Sequence, residues 1–174
     1  LLDALIAMGA RIDIQNQGEQ QGEPVGDLLI QHSDLHAVEI SGDLVVRMID
    51  EFPAFAAAAA FAQGRTLVRD AQELRLKESD RISALCTELR KLGIQAIERQ
   101  DGFEIKGGQT PTGGVVEPHG DHRLAMALAL CGLASQKAVS VNQAEIINES
   151  FPDFPRFLAA FGARVTGLQN DPQV

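Results

Sequence analysis

The chain has 174 residues, of which 45% are hydrophobic and 22% charged, and its formal net charge at pH 7 is −9. That length favours a single domain with a core of its own. The acidic balance argues against a general role in binding nucleic acid or a membrane surface, although it leaves local binding of a small anion open. No apolar run approaches the roughly 18 residues that a membrane-spanning helix requires.

The two cysteines lie within predicted helices and show neither C-x-x-C nor Cys/His spacing. Cys86 and Cys131 are therefore predicted to be reduced core residues of a cytoplasmic protein. No spacing of His, Asp or Glu resembles a metal site, and no glycine-rich nucleotide loop follows a strand.

The first residues already have the apolar spacing of a helix, without an initiator methionine or a clear cap. We expect a fragment that lacks an N-terminal portion, with one domain over residues 1–166 and a frayed polar tail over residues 167–174.

One sequence pattern occurs three times along the chain. At Gly9, Gly93 and Gly162 a helical pattern ends, a glycine follows, and a predicted strand begins. Glycine is suited to the left-handed cap that ends many helices. Alanine-rich helices over 50–63 and 121–130 alternate with this repeated pattern. Because these helices have almost no polar face, we expect them to be buried.

Each repeat is thus predicted to comprise an exposed helix, a hairpin, a buried helix and another strand. The predicted hairpins join 11–15 with 28–31 and 95–98 with 103–106, with loops over 18–26 and 107–114. This order predicts an α/β domain of βαβ-type units with pseudo-threefold symmetry, whose first unit is incomplete. One ordinary doubly wound sheet is the alternative.

Asp50 stands directly before the first alanine-rich helix. Its carboxylate is predicted either to cap that helix or to act as a base that binds a hydroxyl group. Glu51 could share this role, although the first acid in line is the better cap.

Two charged clusters are predicted to open helices: Lys77-Glu78-Ser79-Asp80-Arg81 and His119-Gly120-Asp121-His122-Arg123. If a helix begins near Lys77, Glu78 and Arg81 lie on one face, as in a plain surface ion pair. The recurrence of such a cluster favours a cleft instead. Its arginines and lysine would bind phosphate and carboxylate groups, and its glutamate would transfer protons.

Among the histidines, His122 is a candidate acid or hydrogen-bond donor. The other three, His32, His36 and His119, are predicted to be structural or surface residues.

Four ordered motifs resemble those of the 5-enolpyruvylshikimate-3-phosphate synthase family. Lys77-Glu78-Ser79-Asp80-Arg81 resembles its K-E-[ST]-D-R signature, and 120–126 resembles its D-H-R-x-A-M segment. Met48-Ile49-Asp50-Glu51 and 150–154 are similar to two further family blocks. The resemblance covers residues 1–165. It implies an inside-out α/β barrel domain of the enolpyruvyl transferase type, here the C-terminal domain, whose partner is the missing N-terminal domain.

The resemblance also implies an activity: transfer of enolpyruvyl from phosphoenolpyruvate to the 5-hydroxyl of shikimate-3-phosphate, without metal or organic cofactor. Asp50 would bind the reacting hydroxyl and act as base, and Glu78 would transfer protons at the methylene carbon. Glyphosate is implied as a possible inhibitor.

The same resemblance assigns the anion contacts. Arg81 and Arg123 would hold the anionic groups of phosphoenolpyruvate, Lys77 would lie between the two substrates, and His122 would line the site. Two positions depart from the pattern: Glu149 and Glu73 stand where some relatives have lysine and asparagine. Two alternatives stay open, an isolated domain that binds without catalysing and the relative that acts on a UDP-amino sugar.

Overall fold

The structure is a computed structural model that describes residues 1–167. Its helices and strands, in chain order, are α1 (Leu2–Ala7), β1 (Arg11–Gln20), β2 (Glu23–Gln31), β3 (Glu39–Ile40), α2 (Asp43–Arg47), α3 (Phe52–Phe61), β4 (Arg65–Val68), α4 (Arg81–Lys91), β5 (Gln95–Arg99), β6 (Gly102–Lys106), β7 (Gly114–Val116), α5 (His122–Cys131), β8 (Val139–Val141) and α6 (Phe154–Ala160). Short 3₁₀ turns occupy Gln72–Leu76, Gly132–Ala134 and Ala144–Glu149.

Three sheets alternate with the helices. The central sheet has the order β3-β4-β6-β5, in which β3 and β4 are parallel and the other pairs are antiparallel. A β1–β2 hairpin and a parallel β7–β8 pair form the other two. The order of elements therefore repeats, as the repeated sequence pattern predicts: α1-β1-β2-β3-α3-β4 is followed by α4-β5-β6-β7-α5-β8.

The predicted glycine caps are confirmed at all three repeats. Gly9, Gly93 and Gly162 have φ angles of 95°, 81° and 90°, values at which a residue with a Cβ is strained. A strand follows the first two glycines, but residues 163–167 lie in no strand ladder, so the third predicted strand is wrong for the described residues. An extended segment forms a strand when a neighbour pairs with it.

The first hairpin is longer than predicted. Its register pairs Arg11 with Gln31 and continues to Gln20 and Glu23, so the loop predicted over 18–26 is wrong. Gln21 and Gly22 both have positive φ, and two such residues suit the tight turn that joins twisted antiparallel strands. The second predicted hairpin is confirmed by the β5–β6 pairing.

The two alanine-rich helices lie in the core, as predicted. Ala56, Ala59 and Ala60 of α3 and Ala125 of α5 are fully buried, and α3 packs against α5 with Cα atoms within 8 Å. The buried alanines of α3 and Ala127 of α5 belong to one core cluster, so both helices contribute small side chains to the core. The N-terminal ends of α3 and α5 are thereby brought near that of α4, which also contacts α5.

The predicted burial of both cysteines in the core is confirmed. Cys86 and Cys131 are free and buried, and burial raises the pKa of each thiol to about 12. Within residues 1–167, no helix has both the length and the apolarity needed to cross a membrane. The tail over 168–174 lies outside the described residues.

Candidate functional site

Asp50 lies in the turn before α3, but it does not cap the helix. The N-cap residue is Glu51, and no side-chain hydrogen bond caps α3. The Asp50 carboxylate instead accepts a hydrogen bond from Arg81 Nη1 at 3.0 Å and lies 3.3 Å from Lys77 Nζ. Contacts to a guanidinium and an ammonium are stronger than a bond to a neutral backbone N–H. The capping interpretation of Asp50 is therefore wrong.

The helix after the first charged cluster begins at Arg81 rather than near Lys77. Asp80 is its N-cap and accepts a hydrogen bond from the Ser83 N–H at 3.0 Å. Aspartate is among the preferred N-cap residues, which explains the later start. Lys77 and Glu78 thus precede the helix and stand at its N-terminal end, where the expected pair between Glu78 and Arg81 still forms at 2.6 Å.

Arg81 is the centre of the cluster. It is 1% exposed, and three carboxylates surround its guanidinium. Its Nε donates to Asp121 Oδ2 at 2.7 Å, its Nη1 to Asp50 and its Nη2 to Glu78. Burial alone lowers the pKa of Arg81, but the bond and charge of Asp121, reinforced by Asp50 and Glu78, raise it above its ordinary value. The guanidinium is therefore charged and joins segments that lie 31 and 40 residues away in sequence.

Asp121 caps α5, the helix that the second charged cluster was predicted to open. Its Oδ1 accepts hydrogen bonds from the backbone N–H groups of Arg123 and Leu124 at 2.9 and 3.2 Å. Its Oδ2 accepts from Arg81 and, at 3.3 Å, from Ser79 Oγ. Asp121 is completely buried, so these four donors satisfy a charge that would otherwise be costly inside the protein.

The side chains that follow Asp121 reach the same cluster. Arg123 Nη1 donates to the Asp50 carbonyl oxygen at 3.3 Å, and Nη2 lies 4.0 Å from the Asp50 carboxylate. The His122 ring lies beside Glu149 instead, with Nδ1 3.8 Å from Glu149 Oε2. The structure thus brings Asp50, Lys77, Glu78, Arg81 and Arg123 together, and holds His122 at the edge.

Exposure divides the cations of this cluster into two kinds. The side chains of Lys77 and Arg123 are 28% and 40% exposed, whereas that of Arg81 is 2% exposed. Lys77 and Arg123 can meet an anion from solvent at once. Arg81 can do so only if one of its carboxylate partners moves, and those of Asp50 and Glu78 are nearly half exposed.

The titration of Asp50 is affected by its cationic neighbours. Partial burial raises its pKa, but hydrogen bonds from Arg81 and Lys77 and the charges of Lys77 and Arg123 bring the pKa of Asp50 below its ordinary value. With these cations in place Asp50 is an ionised hydrogen-bond acceptor and a weak base.

Sequence reasoning missed one buried acid next to this site. Glu88 in α4 is completely buried and binds His119, a residue that we expected to be merely structural or at the surface. The available signal was the seven-residue spacing from Arg81, which places both side chains on one face of α4. Across the described residues, no three His, Cys, Asp or Glu side chains come together as a metal site would require.

The motifs agree with comparisons against known proteins. The family model for EPSP synthase (3-phosphoshikimate 1-carboxyvinyltransferase) matches residues 1–158. The chain belongs to the EPSP synthase family. It is 46% identical over 160 residues to the 3-phosphoshikimate 1-carboxyvinyltransferase of Alkaliphilus metalliredigens, and 48% identical over 154 residues to that of Geotalea uraniireducens.

Solved structures confirm the enolpyruvyl transferase fold. An EPSP synthase from Acinetobacter baumannii superposes with a TM-score of 0.88 at 35% identity, covering 91% of this chain. The enolpyruvyl transferase NikO from Streptomyces tendae has a TM-score of 0.69 over 94% of the chain at 23% identity, which supports the fold alone.

Coverage of the relatives is partial. The chain matches 38% of the Alkaliphilus protein, 36% of the Geotalea protein and 38% of the Acinetobacter chain. It therefore corresponds to a portion of an EPSP synthase, as the fragment prediction requires.

Proposed function

We propose that this chain supplies one wall of the catalytic site of an enzyme that transfers enolpyruvyl from phosphoenolpyruvate to the 5-hydroxyl of shikimate-3-phosphate, releasing phosphate. The observation that carries the proposal is the meeting of two exposed cations and two half-exposed acids around the buried Arg81. In this proposal residues 1–166 form the C-terminal domain, and the remaining part of the enzyme completes the cleft.

Asp50 and Glu78 carry the proton transfers in this proposal. In its protonated form, after an incoming anion has displaced it from Arg81, Glu78 gives a proton to the methylene carbon of phosphoenolpyruvate while the hydroxyl oxygen bonds to C2 and its proton passes to Asp50. The resulting tetrahedral intermediate breaks its bond from C2 to the phosphate oxygen, which receives the proton held by Asp50, while Glu78 takes back a proton from the new methyl group. Phosphate leaves and the double bond returns. Positioned carboxylates perform such general acid–base steps.

Lys77 and Arg123 make the first anion contacts in this proposal, because both are partly exposed and both face Asp50. Arg81 Nη2 becomes available when an incoming carboxylate or phosphate displaces Glu78, which holds it at 2.6 Å. Guanidinium groups bind such anions in bidentate geometry. The exchange would free Glu78 to approach the methylene carbon, so substrate binding and placement of the acid are coupled.

The same exchange would prepare Asp50. Its pKa is low while Arg81 and Lys77 bind it. When substrate anions take up those cations, their effect on Asp50 is offset, and its pKa rises toward that of a useful base. His122 lines the site in this proposal. Glu149, 3.8 Å from His122, and the exposed Glu73 cannot supply the lysine and asparagine contacts of some relatives, so other groups must.

The proposal also covers the location of the enzyme, its cofactor requirement, its inhibition and the activity of the isolated chain. The enzyme acts in the cytoplasm, needs no cofactor, and is open to inhibition by glyphosate, which would compete at the phosphoenolpyruvate contacts. The isolated chain is proposed to be inactive, because it spans 36–38% of its relatives. No observation favours a UDP-amino sugar as acceptor.

A chimera tests the assignment. The 160 residues of this chain that align with the Alkaliphilus protein at 46% identity replace the matching segment of that protein, and phosphate release is measured with both substrates. We expect turnover by the folded chimera and none by the 174-residue chain alone. Turnover by the chain alone would refute the proposed inactivity, and an inactive folded chimera would refute the site.

Glu78→Gln in the chimera tests the acid. Turnover should fall about 10²–10⁴-fold, the range of general acid–base contributions. The matched control is Glu39→Gln, which also removes a half-exposed glutamate from an arginine pair and should leave turnover within about twofold. Equal rates for the two variants would refute the role of Glu78.

A further inference from the structure

Helix α4 carries a second charged residue on the face that bears Arg81. Glu88 follows Arg81 by seven residues, about two turns, which returns it to the same side of the helix. It is completely buried, and α4 packs there against β7 and α5. A buried glutamate is uncommon unless its charge is paired, so its partners indicate what it does.

Those partners lie largely in the segment between β7 and α5. Glu88 Oε2 accepts a hydrogen bond from the Glu117 N–H at 3.0 Å, and Oε1 accepts from His119 Nε2 at 2.7 Å. Lys91, one turn further along α4, donates at 2.9 Å. Burial alone raises the pKa of Glu88, but the bonds from Lys91, Glu117 and His119 bring it below its ordinary value. Glu88 is therefore an ionised acceptor that binds this segment at two points.

The segment has a backbone that requires support. His119 and Gly120 have consecutive positive φ angles of 53° and 74°, and the Asp121 N–H closes a turn onto the Pro118 carbonyl oxygen at 3.0 Å. The left-handed conformation is unfavourable for a residue with a Cβ such as histidine. The contact with Glu88 fixes the side chain of the residue that adopts it.

Helix α4 thus binds both ends of the segment 117–121. Arg81 Nε binds Asp121 Oδ2 at 2.7 Å at one end, and Glu88 binds Glu117 and His119 at the other. Asp121 in turn caps α5 through the N–H groups of Arg123 and Leu124. Whatever fixes this turn also fixes the direction in which α5 presents His122 and Arg123.

We propose that Glu88 is a positioning residue for the anion-binding site. Through His119 and the Glu117 N–H it holds the turn that places Arg123, without itself touching substrate. This inference rests on the proposed function for its effect on catalysis, but its structural part stands independently. A glutamate that merely neutralised Lys91 would stabilise α4 and leave the turn unaffected.

Two variants and one control separate these roles. Glu88→Gln keeps the size and shape of the side chain, but only one oxygen is left to accept hydrogen bonds from the three groups that donate to Glu88. His119→Asn removes the ring while keeping a residue type that tolerates positive φ. The control Lys91→Met removes the remaining partner of Glu88, which comes from α4 itself and does not reach the turn.

The first measurement is amide hydrogen exchange in the 174-residue chain, followed by NMR. We expect Glu88→Gln and His119→Asn to speed exchange at the Arg123 and Leu124 amides about tenfold, as for the loss of one charge-assisted bond. The β5–β6 amides should not change. Equal acceleration at every amide would mean general destabilisation and would overturn the proposal, as would no change at Arg123.

The second measurement is the kinetics of the chimera. The KM for phosphoenolpyruvate should rise about tenfold in Glu88→Gln, with a smaller change in kcat. The KM of Lys91→Met should stay within about twofold of that of the unsubstituted chimera. Equal changes in both variants would overturn the positioning role while the proposed function stood. If the chimera transferred no enolpyruvyl but the exchange result held, the function would fail and the positioning role would survive.

Discussion

Replacing Arg81 with methionine measures how strongly its guanidinium stabilises the fold. The change leaves Asp121, which is completely buried, without its charged partner. Removing one member of a buried ion pair costs about 3–5 kcal/mol. Asp121 keeps its bonds from Ser79, Arg123 and Leu124, so we expect the lower end, about 3 kcal/mol. The lost contacts to Asp50 and Glu78 add less, because both acids are nearly half exposed.

Urea and thermal unfolding, followed by circular dichroism, check this value. A loss of about 3 kcal/mol should lower Tm by about 6–12 °C for a domain of this size. Glu78→Gln is the matched control, since it removes an exposed partner of the same guanidinium, and it should cost under about 1 kcal/mol. Adding Asp121→Asn to Arg81→Met should recover part of the loss, because no buried charge is left. If Arg81→Met destabilised the chain no more than Glu78→Gln, the reasoning would be refuted.

Further predictions concern acidity, thiols and close packing. The lowered pKa of Glu88 means that its ionised form stabilises the fold above its ordinary pKa of 4.5, and that this contribution is lost as pH falls through the lower folded-state value. The gap in unfolding free energy between wild type and Glu88→Gln, about 1–3 kcal/mol at pH 7, should therefore narrow below pH 4.5; a gap that widened there would contradict the assignment. At pH 8 a thiol reagent should label neither Cys86 nor Cys131 in the folded chain and both in urea, because burial raises each pKa to about 12; labelling without urea would count against their burial. Gly107→Ala should cost about 1–3 kcal/mol, since its Cβ would overlap the carbonyl oxygen of Ala59 in α3. Gly18→Ala, with its nearest contact at 3.9 Å, should cost less in the same unfolding assay.

The repeated features of the fold were predictable from sequence because they depend on local chemistry. The glycines that end helices and the alanine-rich helices are set by neighbouring residues, and the structure confirms both. The strand predicted after Gly162 was wrong, since a strand needs a pairing partner, and local sequence does not show whether one is present. The length of the first hairpin was missed because all of 18–26 was predicted to be loop. The turn consists of Gln21 and Gly22 alone, and the paired strands continue on both sides of it.

The candidate site was predictable in membership but not in arrangement. Charge at helix starts pointed to Asp50, Lys77, Glu78, Arg81 and Arg123, which the structure brings together. The burial of Arg81 among three carboxylates was not foreseen, because it results from contacts across 31 and 40 residues. The capping alternative for Asp50 was wrong for the same reason, since the cationic neighbours of Asp50 come from elsewhere in the chain.

The close packing of α3 on α5 has a consequence for how this site can evolve. Asp50 precedes one helix and Asp121 the other, and a single guanidinium must reach both carboxylates. The distance between these acids therefore depends on how closely the two helices pack in the interior. A core substitution that moved the two helices apart would stretch the span that Arg81 has to bridge. Variation in the core, rather than in the cleft, would be the finer means of adjusting the width of the anion site.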